Sequence, residues 1–213
     1  MTKKIYIFSG LGVDERVFQK LELSGISVTH IKWIVPQKKE TIENYATRLI
    51  SQITTAEPIL MGLSFGGIMA VEVSKQIDYA KVILIASAKT RREIPFYFRF
   101  AGKIGLYKLL PVQLLKKSNS ITNWFFGTTS LFDRQLLKQI LLDTDPAFLK
   151  WAIEKIARWK NLVPPKKVFH IHGTCDRILP FYFVNCDLGI KGGGHLMTIN
   201  KASELSKIIK SQL

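Results

Sequence analysis

A serine flanked by glycines stands where an apolar run changes into a helical pattern, in ILMGLSFGGIMAVEVSK at residues 59–75. Gly62 lies two residues before Ser64, and Gly66 lies two residues after it. A strand-to-helix turn with the pattern G-x-S-x-G is a nucleophile elbow, which lifts a hydroxyl clear of a sheet. The flanking residues must be small because the strand and the helix pass close beside the turn. The pattern predicts Ser64 as a nucleophile; an ordinary turn serine that caps a helix is the alternative.

A serine hydroxyl is a weak nucleophile until a base removes its proton, so a histidine is the next requirement. The chain has four histidines. His195 follows three glycines in KGGGHLMTI and precedes the last helical segment, a loop position from which its ring could reach the nucleophile. His30, His170 and His172 lie within strand-like runs, where packed or hydrogen-bonded rings are expected. We therefore predict His195 as the base.

The base needs a carboxylate that holds its orientation. Asp176, in HIHGTCDRILP, stands just past a strand-like run in a turn that Pro180 closes. After the apolar run at 80–88, the first acidic residue is Glu93, and Asp187 falls within a predicted strand. Asp176 is therefore the predicted carboxylate, with Asp187 in reserve.

Acyl transfer also requires backbone donors for the oxyanion that develops on the carbonyl. Phe65 directly follows the candidate nucleophile and would begin a helix, whose free N–H groups face developing negative charge. The loop SGLGVDERVF at 9–18 carries Gly10 and Gly12, which let the backbone turn sharply. We expect the amides of Phe65 and Leu11 to form the oxyanion hole; a plain glycine turn is the alternative for the loop.

Strands and helices must alternate along the chain to position these residues. Apolar or β-branched runs predict strands at 3–10, 26–35, 58–64, 80–88, 166–173 and 185–193. Helical spacing predicts helices at 41–53, 65–77 and 202–213. Continuous apolar strands that alternate with helices indicate an α/β protein in which a parallel sheet is covered on both faces.

The alternation breaks once, where 77 residues separate Ala88 from Lys166. We expect a helical cap at 90–165, inserted between the runs at 80–88 and 166–173 of a core formed by 1–89 and 166–213. The insert holds 12 of the 23 aromatic residues. For any single aromatic residue we favour a place in a core; a lid whose aromatic side chains line an apolar pocket is the alternative.

The chain is strongly basic, with a formal net charge of +15 and a pI of about 9.9. The insert carries 13 cationic and five acidic residues. A basic, aromatic-rich lid would suit an apolar acyl or ring compound with a negative group, whereas a solvated basic outer face is the alternative. No nucleic-acid-binding motif accompanies the charge, so nucleic acid is not an expected partner.

Composition indicates a folded globular chain of 213 residues that could form a single domain. No apolar stretch reaches the 18 residues of a membrane span, and the first apolar run is too short for a signal peptide. Cys175 and Cys186 give no disulfide framework, so we expect a cytoplasmic protein. Peripheral membrane contact through 94–117 is an alternative, but glycines and prolines interrupt that segment.

Three blocks in order resemble the α/β-hydrolase superfamily, in particular its small capped esterase-like members. They are IFSGLGVDERVF, MGLSFGG, and HIHGTCDRILP followed by GGGHL, and they span nearly the whole chain outside the insert. The order Ser64, Asp176, His195 is the order of this family's catalytic triad. The family's first loop often reads His-Gly with an aromatic residue eight positions after the glycine; Gly10 and Phe18 match, whereas Ser9 replaces the histidine.

The resemblance implies an α/β-hydrolase fold that lacks the family's first two strands and so has about six mostly parallel strands. It implies an acyl-enzyme mechanism on a small-molecule acyl substrate, with no metal and no organic cofactor. The insert takes the place of the family's variable cap, so the resemblance implies no particular substrate. Carbon–carbon hydrolases, lyases and perhydrolases that use the same three residues remain alternatives, as does a ligand receptor with little turnover.

Overall fold

One parallel sheet organises the computed structural model of the chain, which describes residues 4–109, 116 and 119–213. Its six strands within those residues are β1 (Lys4–Phe8), β2 (Ser27–Ile31), β3 (Ile59–Leu63), β4 (Lys81–Ile85), β5 (Val168–Gly173) and β6 (Leu188–Ile190). Their order across the sheet is β2-β1-β3-β4-β5-β6, and every neighbouring pair is parallel. The predicted six-stranded parallel sheet is confirmed.

Eight α-helices lie within the described residues. They are α1 (Ile42–Leu49), α2 (Phe65–Ser74), α3 (Phe96–Lys103), α4 (Ser120–Phe126), α5 (Leu131–Asp143), α6 (Pro146–Arg158), α7 (Met197–Asn200) and α8 (Ala202–Ser211). The predicted start of α1 is confirmed, because the Thr41 hydroxyl accepts a hydrogen bond from the amide of Asn44. No helix among these residues is both long and apolar enough to cross a bilayer.

Successive residues of each strand face opposite sides of the sheet and so form two cores. On one side, Ile5 and Ile7 of β1 pack in a cluster that includes Leu205 of α8. On the other, Tyr6 and Phe8 pack in a cluster with side chains of α1 and α2. Both faces of the sheet are therefore covered, as the continuous apolar strands predicted.

The second strand is shorter than its β-branched sequence predicted, because side chains take over its backbone hydrogen bonds. Beyond Ile31, the Gln52 side chain bonds to the amide and carbonyl of Lys32. The Tyr45 hydroxyl likewise donates to the carbonyl of Ile34 and accepts from its amide. These groups are no longer available to a neighbouring strand, so β2 ends at Ile31.

The helices between β4 and β5 pack onto the two existing cores. Leu137 and Ile140 of α5 join the cluster of Ile5, and Phe148 of α6 joins the cluster on the other face, as does Trp159. Most of the described aromatic residues of the insert are exposed, so the expectation that each lies in a core was wrong for them. Those exposed are Phe96, Tyr97, Phe98, Phe100, Trp124, Phe125 and Phe132.

Core positions are scarce in the insert because α3 and α4 contribute little to either cluster. No residue of α4 is buried, and in α3 only Gly102 is. Two members of the insert's basic and aromatic set, Lys117 and the Tyr107 side chain, lie outside what the structure describes. The segment 94–117, the alternative site of membrane contact, is described only at residues 94–109 and 116.

Candidate active site

The turn between β3 and α2 holds Ser64 in an unusual backbone conformation. Its φ is 52° and its ψ is −121°, a region that costs a residue with a side chain about 1–3 kcal/mol. Two hydrogen bonds fix the turn: the Ser64 amide donates to the carbonyl of Ile85 at 3.0 Å, and the Ser87 hydroxyl donates to the carbonyl of Ser64 at 2.6 Å. The neighbouring strand end therefore holds the serine in place.

The glycines on either side of Ser64 make this turn sterically possible. A β-carbon at Gly62 would overlap the backbone of Gly66. One at Gly66 would overlap the carbonyl oxygens of Phe8 and Ser9 at the end of β1. The G-x-S-x-G spelling thus reflects the close approach of one strand and one helix that was inferred from sequence, and the structure adds the end of β1 to this contact.

His195 lies between Ser64 and Asp176, although the three residues are far apart in the sequence. Its Nδ1 is 2.8 Å from Asp176 Oδ2, and its Nε2 is 2.8 Å from Ser64 Oγ. A carboxylate can only accept, so Nδ1 carries the proton and Nε2 accepts from the serine hydroxyl. The structure therefore brings together the three side chains named from the sequence.

Asp176 is buried and fully hydrogen-bonded. Its Oδ1 accepts from the amides of Ile178, at 2.9 Å, and Leu179, at 2.8 Å, while Oδ2 faces His195. Burial alone would raise the pKa of this carboxyl, but its electrostatic interaction and hydrogen bond with the His195 ring, together with His172 and the Leu179 amide, outweigh burial and lower the pKa. Asp176 is therefore a carboxylate at neutral pH, the form that can orient a histidine.

The reserve acidic residues lie elsewhere. Asp187 accepts from the amide of His170 at 2.8 Å, and buried Glu93 accepts from the amides of Lys89 and Asn185. Neither has a hydrogen bond to His195 among the described residues. Asp176, the preferred candidate, is the one that contacts the ring.

Sequence reasoning missed a supporting role for His172. This buried ring donates from Nε2 to the carbonyl of Leu179 at 2.8 Å, and the same nitrogen is 3.5 Å from Asp176 Oδ2. Burial lowers the pKa of His172, so the ring is neutral. The His172 ring packs beside the Asp176 carboxylate and holds the turn that carries Asp176. In the sequence, only the spacing of four residues between His172 and Asp176 in HIHGTCD could have indicated this contact.

A second missed group comes from the insert. The ring of Phe126, at the end of α4, meets the His195 ring edge to face at 6.0 Å between centroids. The carbonyl of Phe126 accepts from the amide of Leu196 at 3.3 Å. The loop that carries His195 therefore packs against the insert, and no local sequence pattern predicts this contact.

The two candidate oxyanion donors come from the loop after β1 and from the start of α2. Phe65 is the first residue of α2, where an amide has no intrahelical acceptor. Leu11 follows Gly10, whose backbone packs so closely on Ser64 that an added β-carbon would lie 3.4 Å from the serine β-carbon. Neither amide has an acceptor within the described residues. Both therefore remain candidate donors.

A small cavity of about 60 Å³ opens beside Ser64 and His195. Phe65 and Ile68 line it from the sheet domain, and Phe98 and Ile156 line it from the helices of the insert. Ser64, His195 and Phe65 thus border a mainly apolar space, whereas Leu11 is not among its lining residues.

Comparison with known proteins identifies the fold. No family model matches the chain, and no curated protein matches it by sequence. MenH from S. aureus superimposes with a TM-score of 0.74 at 15% identity, over 100% of this chain and 94% of that one. For the hydrolase olei00960 from Oleispira antarctica the TM-score is 0.71 at 13% identity, over 98% of this chain and 90% of that one.

An esterase from Thermogutta terrifontis matches with a TM-score of 0.67 at 16% identity, over 98% of this chain and 88% of that one. Other matching structures are named as a bromoperoxidase and an enol-lactonase. The reactions of these proteins differ, and their sequences are distant, so the likeness establishes architecture. This chain has the α/β-hydrolase fold.

Proposed function

We propose that the protein is a serine hydrolase that cleaves a carboxylic ester or a related acyl compound. The observation that carries the proposal is the continuous relay from Ser64 Oγ through His195 to Asp176, with both hydrogen bonds at 2.8 Å. The esterases and hydrolases among its structural neighbours support the same class of reaction.

In the proposed reaction, His195 Nε2 removes the hydroxyl proton as Ser64 Oγ attacks the acyl carbonyl carbon. Asp176 holds the ring with Nδ1 protonated and stabilises the imidazolium that forms. The amides of Leu11 and Phe65 donate to the oxyanion. His195 then protonates the departing alcohol, and the acyl group remains bound to Ser64.

The second half of the reaction repeats these steps with water. His195 takes a proton from a water molecule, whose oxygen attacks the acyl carbonyl. Collapse of the tetrahedral intermediate returns the proton to Ser64 and releases the carboxylic acid. No residue beyond the five already named is needed for proton transfer or charge stabilisation.

We assign residues 90–165 the role of a cap over this site. Two helices of the segment, α3 and α6, each contribute a side chain to the cavity wall, and Phe126 of α4 packs against the base. The cap therefore borders both the substrate space and the catalytic histidine. This supports a small, capped, esterase-like hydrolase.

The cap also supports an anionic group on the substrate. Five cations line a groove along α3 and the end of α6: Arg91, Arg99, Lys103, Arg158 and Lys160. The residues that line the cavity beside Ser64 include no lysine or arginine. We therefore place the negative group on the part of the substrate that lies outside that cavity.

Hydrolysis of p-nitrophenyl acetate by Ser64→Ala tests the proposal. We expect kcat/KM to fall by at least about 10³-fold, since loss of the nucleophile in such triads removes nearly all catalysis. Ser211→Ala is the matched control: Ser211 is exposed at the end of α8, and its hydroxyl bonds only to the carbonyl of Ile208 and the side chain of its neighbour Gln212. Its rate should equal that of the wild type.

Two outcomes would contradict the proposal. One is a Ser64→Ala protein that keeps more than a tenth of the wild-type rate. The other is a wild-type protein that hydrolyses no member of an ester panel of varied acyl length and charge; product analysis would then test carbon–carbon cleavage, and ligand-dependent partner binding would test a receptor.

A further inference from the structure

Helix α3 turns its apolar side chains towards solvent. Phe96, Phe100 and Ile104 recur every four residues, so they share one face of the helix and the residue that ends it. They are 63%, 61% and 58% exposed. Gly102 lies about 200° around the helix from Phe100. It packs on Ala157 of α6, where an added β-carbon would lie 2.6 Å from the carbonyl oxygen. The small residue is thus inward and the large apolar ones are outward, the reverse of an ordinary surface helix.

Aromatic rings from the chain between β5 and β6 extend this surface. The Phe183 ring lies 6.3 Å from that of Phe96 and 5.9 Å from that of Tyr97, between centroids. Tyr182 contacts Phe183 at 4.5 Å and is 78% exposed. A contiguous apolar surface of this kind marks an interaction site, whereas single exposed apolar residues do not. We call the exposed members the aromatic face: Phe96, Tyr97, Phe100, Ile104 and Tyr182.

The cationic groove along α3 and the end of α6 borders the aromatic face. Lys103 lines the groove, and it neighbours Phe100 on the helix surface because the two are three residues apart. Among the five cations of the groove, only Arg158 has an ion pair with a described residue, Glu154. The Nε of Arg99 is buried and has no hydrogen-bond partner among the described residues. The groove therefore holds positive charge that no described side chain of the protein neutralises, apart from that one pair.

Charge decides which partner fits an apolar face with a cationic border. In a symmetric dimer through this face, each cationic border would approach the same border of the second copy, and like charges placed together oppose binding. The whole chain has a net charge of +15, which adds to that repulsion. An anionic bilayer surface offers both complements: phosphates for the cations, and the boundary below the headgroups for aromatic and aliphatic side chains.

We infer that the aromatic face and the cationic groove dock this protein on the surface of a membrane rich in anionic phospholipids. The rings enter the boundary between headgroups and acyl chains, and the cations of the groove pair with lipid phosphates. Neither the aromatic face nor the groove includes a residue of the triad or of the cavity wall at Ser64. The inference is therefore independent of the proposed reaction.

Cosedimentation of the purified protein with vesicles tests the part played by charge. We expect the wild type to bind vesicles of equal parts phosphatidylcholine and phosphatidylglycerol at least tenfold more tightly than vesicles of phosphatidylcholine alone. Exchange of Arg99 and Lys103 for glutamine should weaken binding to the mixed vesicles at least about fivefold, since a cation near an anionic surface contributes roughly that factor. Exchange of Lys207 and Lys210, exposed on α8, is the matched control and should have a smaller effect.

A second pair of variants tests the part played by the rings. Phe100→Ala should weaken binding to the mixed vesicles at least about fivefold, because one ring no longer leaves water. Phe132→Ala is the matched control: Phe132 is 55% exposed on α5, where Lys20 lies over its ring, and its loss should leave binding unchanged. Circular dichroism of each variant checks that the fold is kept.

Four results would overturn the inference. The first is a wild type that does not sediment with the mixed vesicles at low salt, and the second is equal binding to phosphatidylcholine alone. The third is wild-type binding by both Phe100→Ala and the Arg99 and Lys103 variant. The fourth is a dimer in solution that Phe100→Ala abolishes, in a protein that does not bind vesicles, which would assign the aromatic face to a second copy of the chain.

Discussion

Asp176 shows how one side chain couples folding to the proposed chemistry. One carboxylate oxygen accepts hydrogen bonds from two backbone amides of its own turn, and the other oxygen accepts one from the His195 ring. The charged form is therefore the stable one in the folded protein, and the pKa of Asp176 is lowered despite burial. Removal of the charge should affect the reaction and the acid stability together.

Replacement of Asp176 by asparagine should lower kcat by up to about 10⁴-fold, the loss seen when the orienting carboxylate of a serine triad is neutralised. The lowered pKa means that ionised Asp176 stabilises the fold above about pH 4, the pKa in the unfolded chain. That stability is lost as the pH falls through the lower folded value. Urea unfolding at neutral and acid pH should therefore show a smaller pH dependence in the variant.

Asp78→Asn is the control for this comparison, because Asp78 is exposed and makes no hydrogen bond or ion pair among the described residues. Its rate and its pH dependence of unfolding should match the wild type. An Asp176→Asn protein that loses less than tenfold in kcat would show that this carboxylate does not orient the base.

Several site residues could be predicted from sequence because each obeys a local rule. Ser64 is fixed by glycines that the turn requires, and Asp176 and His195 each follow a strand-like run. His172 and Phe126 were missed because their roles depend on distant contacts. A buried histidine within a strand pattern looks the same whether or not a carboxylate lies behind it.

At the scale of elements, an ion-pair bridge joins the loop at 9–18, which carries the proposed oxyanion donor Leu11, to the insert. The carboxylate of Asp14, within the loop at 9–18, pairs with Arg16 at 2.6 Å. The same Arg16 nitrogen pairs with Asp143 at the end of α5, at 2.7 Å. The segment that presents Leu11 is thereby tied to a helix of the insert.

Arg16→Ala should lower kcat/KM for acetate by up to about fivefold, because partly exposed ion pairs contribute about 0.2–1 kcal/mol each. Arg16→Lys keeps the charge but loses the planar fork, so its rate should fall between the two. Arg134→Ala removes an exposed cation of α5 that has no ion pair among the described residues, and it should act as wild type. An unchanged rate in Arg16→Ala would show that the bridge does not position the loop.

Element boundaries were harder to predict than element types. The sequence at 26–35 predicts a strand throughout, but Tyr45 and Gln52 side chains end β2 at Ile31. In the insert, aromatic composition predicts core positions, yet α3 and α4 leave most of their aromatic rings exposed. Hydrophobic content alone does not say which helices have a partner on both faces.

At the scale of the molecule, the fold separates an apolar reaction space from a basic surface. The net charge is +15, and a groove lined by five cations lies beside the cap helices. The cavity at Ser64 contains none of them. A positive field of this size raises the local concentration of anions and steers them towards the surface.

Ionic strength should therefore affect anionic and neutral esters differently. For an acetate ester with a carboxylate on its alcohol part, we expect kcat/KM to fall as the Debye length shrinks from about 30 Å at 0.01 M salt to about 3 Å at 1 M. A neutral ester of equal size should show no such fall. Equal salt dependence of both esters would contradict a role for the charge.

A matched pair of variants locates the effect. Exchange of Arg99 and Lys103 for glutamine should reduce the salt dependence on the anionic ester, because both line the cationic groove. Exchange of Lys207 and Lys210 for glutamine, both exposed on α8, removes two charges elsewhere on the chain and should leave the salt dependence nearly unchanged.

The central claim is that Ser64 becomes covalently acylated with His195 as its base. Peptide mass analysis after reaction with a fluorophosphonate measures this directly. We predict one adduct per chain, located on Ser64, absent from Ser64→Ala and formed far more slowly in His195→Ala. An adduct on a different serine, or equal labelling of the wild type and Ser64→Ala, would contradict the account.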